Sequence, residues 1–278
     1  MSILKSMMTT TAFIIVIVAA ALLSLFVFQN KLLYYPTKAN IDNYAPGGMS
    51  LWPIDESAAQ YDTENLLGLY APAAADSQSI GTAIVFHGNA GHAGHRSYYA
   101  QQLAPLGLNT ILAEYPGYGP RGSKPTEESI INDALATVKL AAEQHPQPIW
   151  VIGESLGAAV AAAVAGKLPD LVEGLILLTP WNTLEEVAQH HYPFLPVSWL
   201  LRSEYDSVAA LASYTGPTYI VVSRQDNVIP VKFGKELYEQ IGQPKQLLEL
   251  EHAGHNNWIN HVPDTFWSDA MQWLQRAK

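Results

Sequence analysis

Apolar runs of strand length alternate with helical patterns from residue 81 to the end of the chain, and this alternation limits the possible folds most. Six runs read as β-strands, at 82–88, 109–119, 148–153, 171–181, 217–226 and 245–255. Helical spacing fills the gaps at 95–107, 127–145, 155–168, 231–242 and 262–277. Because the strand runs are apolar throughout, they predict a mostly parallel central sheet with helices on both faces.

Residues 182–214 interrupt this alternation. The segment follows the fourth strand run and contains "HHYPFLPVSWLL", which is rich in aromatic and aliphatic residues. We interpret it as a small cap inserted over one end of the sheet. The chain of 278 residues then suits one large domain, which we place at 31–278, behind a separate N-terminal segment at 1–30.

The N-terminal segment contains "TAFIIVIVAAALLSLFVF" at 11–28, which has no charged residue. As a helix this stretch is roughly 27 Å long, close to the hydrocarbon thickness of a bilayer. The alternative is a cleaved signal peptide with Lys5 as its basic region. We favour a single-pass membrane anchor, because the stretch is longer than the usual apolar region of a signal peptide and the bulky "QNKLLYYPTK", without a clean small-x-small cleavage site, follows it.

The orientation of this anchor follows weakly from charge, since Lys5 lies before the span and Lys31 and Lys38 lie after it. We expect an N-inside anchor, with the domain on the exported side of the membrane.

Charge and composition exclude several partners and sites. The formal net charge is −10 and no cluster of lysine and arginine occurs, so we expect no nucleic-acid partner. The chain has no cysteine, which removes disulfides, thiolate nucleophiles and cysteine-ligated metals.

The stretch "IWVIGESLGAAVAAAVAGKL" at 149–168 places one serine between two glycines, where a strand run meets a helix. The residues Gly153-Glu154-Ser155-Leu156-Gly157 match G-x-S-x-G, the pattern of a nucleophile elbow. In that elbow a sharp turn lifts the hydroxyl above the sheet edge, and flanking glycines avoid collisions with strand and helix. We therefore predict that Ser155 is a nucleophile; a glycine-rich packing turn is the alternative.

A nucleophilic serine needs a base, and the base needs an orienting acid. Asp226 ends the fifth strand run, and we favour it as the acid over Asp206, which lies towards the end of the insert. His252 and His255 occur at the end of the sixth run. We favour His255 as the base, because it lies further into the loop and is freer to reach the serine.

The tetrahedral intermediate of acyl transfer needs two N–H donors for its oxyanion. The backbone N–H of Leu156, directly after the serine, is one candidate. The other comes from the glycine-rich "FHGNAGHAGH" at 86–95, where the N–H of Asn89 or of Ala90 is suitable and Asn89 is preferred.

Several histidines outside this set invite other interpretations. His87, His92 and His95 lack the H-E-x-x-H spacing and an obvious carboxylate partner, so we expect loop polarity rather than a metal site. His190 and His191 are adjacent in the insert, and we expect both to be ordinary insert residues.

The stretches "LLYYPT", "FHGNAGH", "YPGYGPRGSKPTEESIINDA", "VIGESLGAAVA", "VVSRQDNVIP" and "HAGHNNW" occur in this order across roughly residues 32–260. In them the chain resembles the α/β-hydrolase superfamily, and more narrowly the membrane-anchored alpha/beta-hydrolase domain-containing proteins. The resemblance implies the α/β-hydrolase fold, a Ser155–Asp226–His255 triad, and hydrolysis of esters or related acyl compounds without a cofactor.

The expected function is therefore a serine hydrolase that cleaves carboxylic ester or thioester bonds through an acyl-enzyme. The apolar insert and the anchor suggest acyl or lipid-like substrates taken near a membrane, although the same residues could simply pack the cap. Two alternatives remain, a serine peptidase or amidase of the same fold and a non-catalytic membrane-tethered binding protein.

Overall fold

A computed structural model describes residues 2–53, 63, 65–76, 78–145 and 148–277, with side chains from Met7 onwards. It begins with a long apolar helix, α1, at Ser2–Leu33. Its segment Met7–Leu33 is long and apolar enough to cross a membrane, and a signal sequence would pass the same test.

An eight-stranded sheet forms the centre of the molecule, in the order β10-β9-β8-β7-β4-β6-β3-β2. All neighbours pair in parallel except β2 with β3 and β3 with β6, which are antiparallel. The strands of this sheet are β2 Ser50–Trp52, β3 Gly68–Ala71, β4 Gly81–Phe86, β6 Leu108–Ala113, β7 Ile149–Glu154, β8 Val172–Leu178, β9 Thr218–Ser223 and β10 Lys245–Leu250. A two-stranded sheet pairs β1 Tyr35–Pro36 with β5 Ala90–Gly91.

Helices cover both faces of the sheet, as the sequence predicts. The helices on these two faces are α2 Tyr98–Leu103, α3 Glu127–Gln144, α4 Leu156–Lys167, α8 Val231–Gln240 and α9 Phe266–Arg276. Buried side chains of α3, α4 and α8 pack on one face together with Ile84 and Phe86 of β4. Those of α2 and α9 pack on the other face with Ala83 and Val85, because successive strand residues point to opposite sides.

Three short helices form the inserted segment between β8 and β9. They are α5 Leu184–His191, α6 Val197–Leu200 and α7 Ser207–Leu211. Thr183 and Asp206 begin the first and the last of them as N-caps, each accepting a backbone N–H three residues later.

Two predicted elements are shorter than expected. The run at 109–119 leaves the sheet after Ala113, because Gly117 and Gly119 adopt positive φ angles of 85° and 51° that turn the chain. The helix predicted at 95–107 is an α-helix only at Tyr98–Leu103, flanked by 3-10 turns. Pro105 lacks the N–H that would continue the α-helical pattern.

The sheet order creates a switch point at β4. From β4 the chain moves to β6 on one side and then returns to β7 on the other side. In open α/β sheets, ligands bind outside the carboxyl ends of strands at such a point. The loop after β4 carries Asn89, and the turn after β7 carries Ser155.

Candidate active site

Ser155 occupies a sharp turn between β7 and α4. Its φ and ψ angles are 55° and −116°, a conformation that non-glycine residues rarely adopt. The N–H of Ser155 donates to the carbonyl of Leu178 over 2.9 Å, and this bond fixes the turn to the neighbouring strand β8. The strained turn therefore presents the hydroxyl at the carboxyl edge of the sheet.

The two flanking glycines are required by the packing of this turn. A Cβ at Gly157 would overlap the carbonyl oxygen of Phe86, and one at Gly153 would overlap the carbonyl of Gly157 and the Cα of Ala158. Every one of these neighbours is backbone, so none can rotate away. The sequence G-x-S-x-G is thus set by close contact of β4, β7 and α4.

The side chains of Ser155, His255 and Asp226 meet in one hydrogen-bonded chain. The Nδ1 of His255 lies 2.7 Å from Oδ2 of Asp226, and its Nε2 lies 2.9 Å from Oγ of Ser155. A carboxylate only accepts, so Nδ1 carries the proton and Nε2 is left to accept the hydroxyl proton of the serine.

Asp226 is fixed in place by the loop that follows β9. Its Oδ1 accepts the N–H groups of Val228 and Ile229 over 2.8 and 2.7 Å. The side chain of Asp226 is 1% exposed, whereas that of His255 is 11% exposed. The two N–H donors on Oδ1 hold Oδ2 towards the imidazole.

The alternative base and acid that the sequence left open, His252 and Asp206, lie away from the three hydrogen-bonded side chains. His252 is exposed and makes no hydrogen bond within the described part of the molecule. Asp206 caps α7, where its Oδ1 accepts the N–H of Ala209 over 2.8 Å. Neither side chain touches Ser155.

Two backbone N–H groups adjoin the serine without a hydrogen-bond partner among the described residues, those of Asn89 and Leu156. Both residues line the same cavity as Ser155. Other atoms of Asn89 are engaged: its side-chain Nδ2 donates to the carbonyl of Leu33 over 2.8 Å, and its carbonyl accepts the hydroxyl of Tyr118 over 2.7 Å. These bonds fix the loop after β4 while its N–H remains free.

A buried ion pair supports this loop. The Nδ1 of His87 lies 2.7 Å from the carbonyl of Gly88, and its Nε2 lies 3.0 Å from Oε1 of Glu114. Both ring nitrogens of His87 therefore have a partner, which fixes the ring in the loop after β4. Burial would raise the pKa of Glu114, but hydrogen bonds from His87, from the hydroxyl of Tyr44 and from the N–H of Ala93 outweigh it and leave the pKa lowered.

The remaining histidines serve other contacts. The rings of His92 and His95 lie 3.6 Å apart between centroids. Within the described ranges, no three histidine or acidic residues are arranged to hold a metal ion. His190 packs edge-on against Phe233, while the Nε2 of His191 lies 2.9 Å from the carbonyl of Val228.

A cavity of about 570 Å³ lies directly in front of Ser155. Its walls are almost entirely apolar and come from four parts of the chain: the end of α1, the loop after β4, the inserted segment and the loop after β9. The lining residues are Leu25, Gln29, Leu32, Leu33, Tyr35, Asn89, Ser155, Leu156, Trp181, Leu184, Val187, Ala188, His191, Tyr192, Leu195, Val197, Leu200, Leu201, Asn227, Val228 and Ile229. A cavity of this size and character accepts a largely apolar small molecule.

Comparison with known proteins identifies the family. The family model described as serine aminopeptidase matches residues 77–203. An uncharacterised protein of Mycobacterium tuberculosis is 33% identical over 82% of this chain and 81% of its own length. The Pyrococcus furiosus esterase superposes with a TM-score of 0.66 at 20% identity, over 88% of this chain and 98% of that chain. The protein belongs to the α/β-hydrolase superfamily.

A second relative of this hydrolase carries a specific name. The lysophosphatidylserine lipase ABHD12 of Danio rerio is 29% identical over 59% of the chain, and the match covers 48% of that protein. Its family identifies the chain as a serine hydrolase enzyme, and esterase and lipase structures at 18–21% identity share its fold.

The sequence alone did not predict the contacts of two residues at the hydrolase site, Glu154 and His191. Glu154, inside the motif, accepts hydrogen bonds from Arg96, Tyr98 and Tyr99 and so connects the elbow to the start of α2 and the turn before it. His191, expected to be an ordinary insert residue, lines the cavity. Neither role has a local signal, because each depends on which distant segment the side chain meets.

Proposed function

We propose that the protein hydrolyses carboxylic esters or thioesters through a Ser155–His255–Asp226 triad and an acyl-enzyme intermediate. The observation that carries the proposal is the continuous hydrogen-bonded chain from Asp226 through His255 to Ser155 at the mouth of an apolar cavity. The hydroxyl alone is a weak nucleophile, and the imidazole provides the base that it lacks.

In the first half-reaction, Nε2 of His255 accepts the proton of Ser155 as Oγ attacks the acyl carbon. Asp226 stabilises the imidazolium that forms and keeps the ring in the productive tautomer. His255 then donates the proton to the departing alcohol or thiol. The acyl group remains bound to Ser155 as an ester.

In the second half-reaction, His255 removes a proton from water, which attacks the acyl-enzyme and releases the acid. Both tetrahedral intermediates carry a negative oxygen, for which we propose the N–H groups of Leu156 and Asn89 as donors. Leu156 begins α4, so the helix N-terminus adds a favourable dipole there. No cofactor takes part in this scheme.

The substrate class follows from the cavity. Its lining is mainly leucine, valine, isoleucine, tryptophan and tyrosine, which favours an apolar acyl chain over a charged group. Relatives named as an esterase and as a lysophosphatidylserine lipase point the same way. We therefore propose a lipid-like acyl ester as the substrate.

A peptidase is the second candidate, because the matching family model is described as serine aminopeptidase. An aminopeptidase must bind a protonated amino terminus, for which a carboxylate is the natural partner. Among the described residues that line the cavity, none is aspartate or glutamate. This observation favours ester hydrolysis.

The experiment is a panel of p-nitrophenyl esters, acyl thioesters and amino-acid p-nitroanilides, assayed with the full chain in detergent. We expect hydrolysis of esters or thioesters and none of the anilides. Ser155→Ala should abolish it, whereas Ser207→Ala, which removes a buried hydroxyl without a partner among the described residues, should not. Turnover of anilides alone would favour the peptidase instead.

We also propose that α1 anchors the hydrolase in a membrane and that residues 31–278 form a domain on the exported side, with residues 182–214 as its cap. The support is the length and apolar character of Met7–Leu33. Protease treatment of intact cells, followed by detection of the domain, tests the side. Cleavage of the domain only after lysis would place it inside.

A further inference from the structure

The end of α1 belongs to the cavity as well as to the apolar span. Leu25, Gln29, Leu32 and Leu33 all line the space in front of Ser155. These positions are four, three and one residues apart, so they share one face of the helix. The same helix is exposed and apolar over its earlier turns, where Leu23 is 63% exposed.

Polar side chains fix this face of α1 against the inserted segment. Gln29 donates from Nε2 to the carbonyl of Leu200 over 3.0 Å, and its Oε1 accepts the N–H of Arg202 over 2.8 Å. The neighbouring Asn30 accepts from Nη2 of Arg202 over 3.3 Å. These bonds join α1 to residues about 170 positions later, so the helix and the cap form one wall.

The helix end is also bonded to the loop that carries a candidate oxyanion donor. The carbonyl of Leu33 accepts Nδ2 of Asn89 over 2.8 Å, and the N–H of Tyr35 donates to the carbonyl of Asn89 over 2.9 Å. The position of α1 is therefore coupled to the chemistry at Ser155.

Large apolar side chains surround the outer side of this wall. Phe194 is 98% exposed and Trp199 is 86% exposed, and neither lines the cavity. Both belong to the inserted segment, next to the helix that is long and apolar enough to span a bilayer. Exposed aromatic residues beside such a helix match the chemistry of a membrane interface.

We infer that α1 and the cap together form an acyl-chain site that receives the chain of a lipid ester directly from the bilayer. This inference rests on the proposed hydrolase function. The apolar span brings the cavity to the membrane surface, Phe194 and Trp199 enter the interface, and the leucines of α1 contact the acyl chain as it reaches Ser155.

The first test changes the wall. Leu32→Trp narrows the cavity and Leu25→Ala widens it, in the full chain, with p-nitrophenyl esters from acetate to laurate as substrates. We expect Leu32→Trp to lower the ratio of kcat/KM for laurate to kcat/KM for acetate about tenfold or more, since a filled pocket rejects the longer chain more strongly than the shorter one. Leu25→Ala should shift the preference towards longer chains.

Leu23→Trp is the matched control, because Leu23 lies outside the cavity on an exposed face. If Leu32→Trp and Leu25→Ala both keep the wild-type dependence of kcat/KM on acyl-chain length and still hydrolyse acetate, the inference is overturned. The proposed function is then intact. The inference also fails if the control shifts the profile as much as the wall variants do. A wild-type chain without activity on any ester overturns the proposed function, and the inference with it.

The second test addresses the source of the lipid. Phe194→Glu with Trp199→Glu should lower hydrolysis of a long-chain ester in phosphatidylcholine vesicles about tenfold, while soluble acetate ester is unaffected. Neither residue lines the cavity. The control Ile80→Glu places a charge on an exposed residue before β4, at the opposite end of the strands. Equal rates on vesicles for all variants would show that the substrate arrives through water.

Discussion

Ser155 combines a rare backbone conformation with a complete set of hydrogen-bonding partners. The positive φ angle costs conformational energy, of order 1–3 kcal/mol for such positions. Packing of Gly153 and Gly157 against backbone holds the turn in place. His255 then bonds to the hydroxyl of Ser155, and Asp226 bonds to His255, from two later loops.

His252 and His255 both follow β10, so substitutions at the two positions can be compared directly. We expect His255→Ala to lower kcat for ester hydrolysis by about 10⁴-fold or more, because the base is lost. His252→Ala should leave kcat within about twofold, since its ring is exposed and bonds to no described residue. Steady-state kinetics on one ester decides this, and an equal loss in both variants would contradict the assignment of the base.

The turn between β7 and α4, which carries Ser155, is the element that tolerates a larger side chain least. Gly157→Ala should lower the free energy of unfolding by about 1–3 kcal/mol, because the new Cβ overlaps the backbone of Phe86. Ester hydrolysis should fall with it, since the turn that presents Ser155 must shift.

Gly242→Ala is the control for this substitution, as no atom lies within 4 Å of its added Cβ. Thermal unfolding in detergent measures both variants, with roughly 2–4 °C expected per kcal/mol. A melting temperature for Gly157→Ala equal to that of the control would contradict the packing described for the elbow.

The loop after β4 depends on the buried carboxylate of Glu114. Its pKa is lowered in the folded chain, so its contribution to stability is present above the unfolded pKa of about 4.3 and is lost as pH falls through the folded value. We expect Glu114→Gln to lower the free energy of unfolding at pH 7 by about 3–5 kcal/mol, because His87 loses its partner.

Urea unfolding of wild type and Glu114→Gln across this pH range measures the effect, and the difference should shrink below pH 4.5. Glu251→Gln is the control, because the Arg224–Glu251 pair is exposed and contributes little. A difference that grows as pH falls would contradict the sign.

The sequence predicted elements best where the signal is local. Apolar runs located the start of each of the six later strands to within about one residue but placed several of their ends too late, and G-x-S-x-G located the β7–α4 turn. The early strands β2 and β3 were not separable from irregular chain, because they are three and four residues long. The choice of Asp226 rested on its position at a strand end, and the choice of His255 on its position in the loop after the next strand. The roles of Gln29 and Glu154 depend on contacts between distant segments that no local pattern encodes.

At the scale of the whole molecule, α1 leads into the rest of the chain without a linker. The last turn of α1 leads through Tyr34 to β1, which pairs with β5 in the loop of Asn89. The hydroxyl of Tyr34 also bonds to that of Tyr205 over 3.0 Å. Cleavage of residues 1–30 as a signal peptide would remove part of the cavity wall, and retention preserves it.

We therefore expect the protein isolated from its membrane fraction to retain residues 2–33. Intact-mass measurement of the purified chain tests this expectation directly. A mature chain that begins near residue 30 in the soluble fraction would contradict the anchor and favour the signal peptide.

Mapping the site of covalent labelling tests the central claim most directly. A fluorophosphonate reacts with a serine only where a base activates the hydroxyl, and peptide mass spectrometry identifies the modified residue. The triad predicts one adduct, on Ser155, that disappears in both Ser155→Ala and His255→Ala. An adduct on another serine, or full labelling of Ser155→Ala, would contradict it.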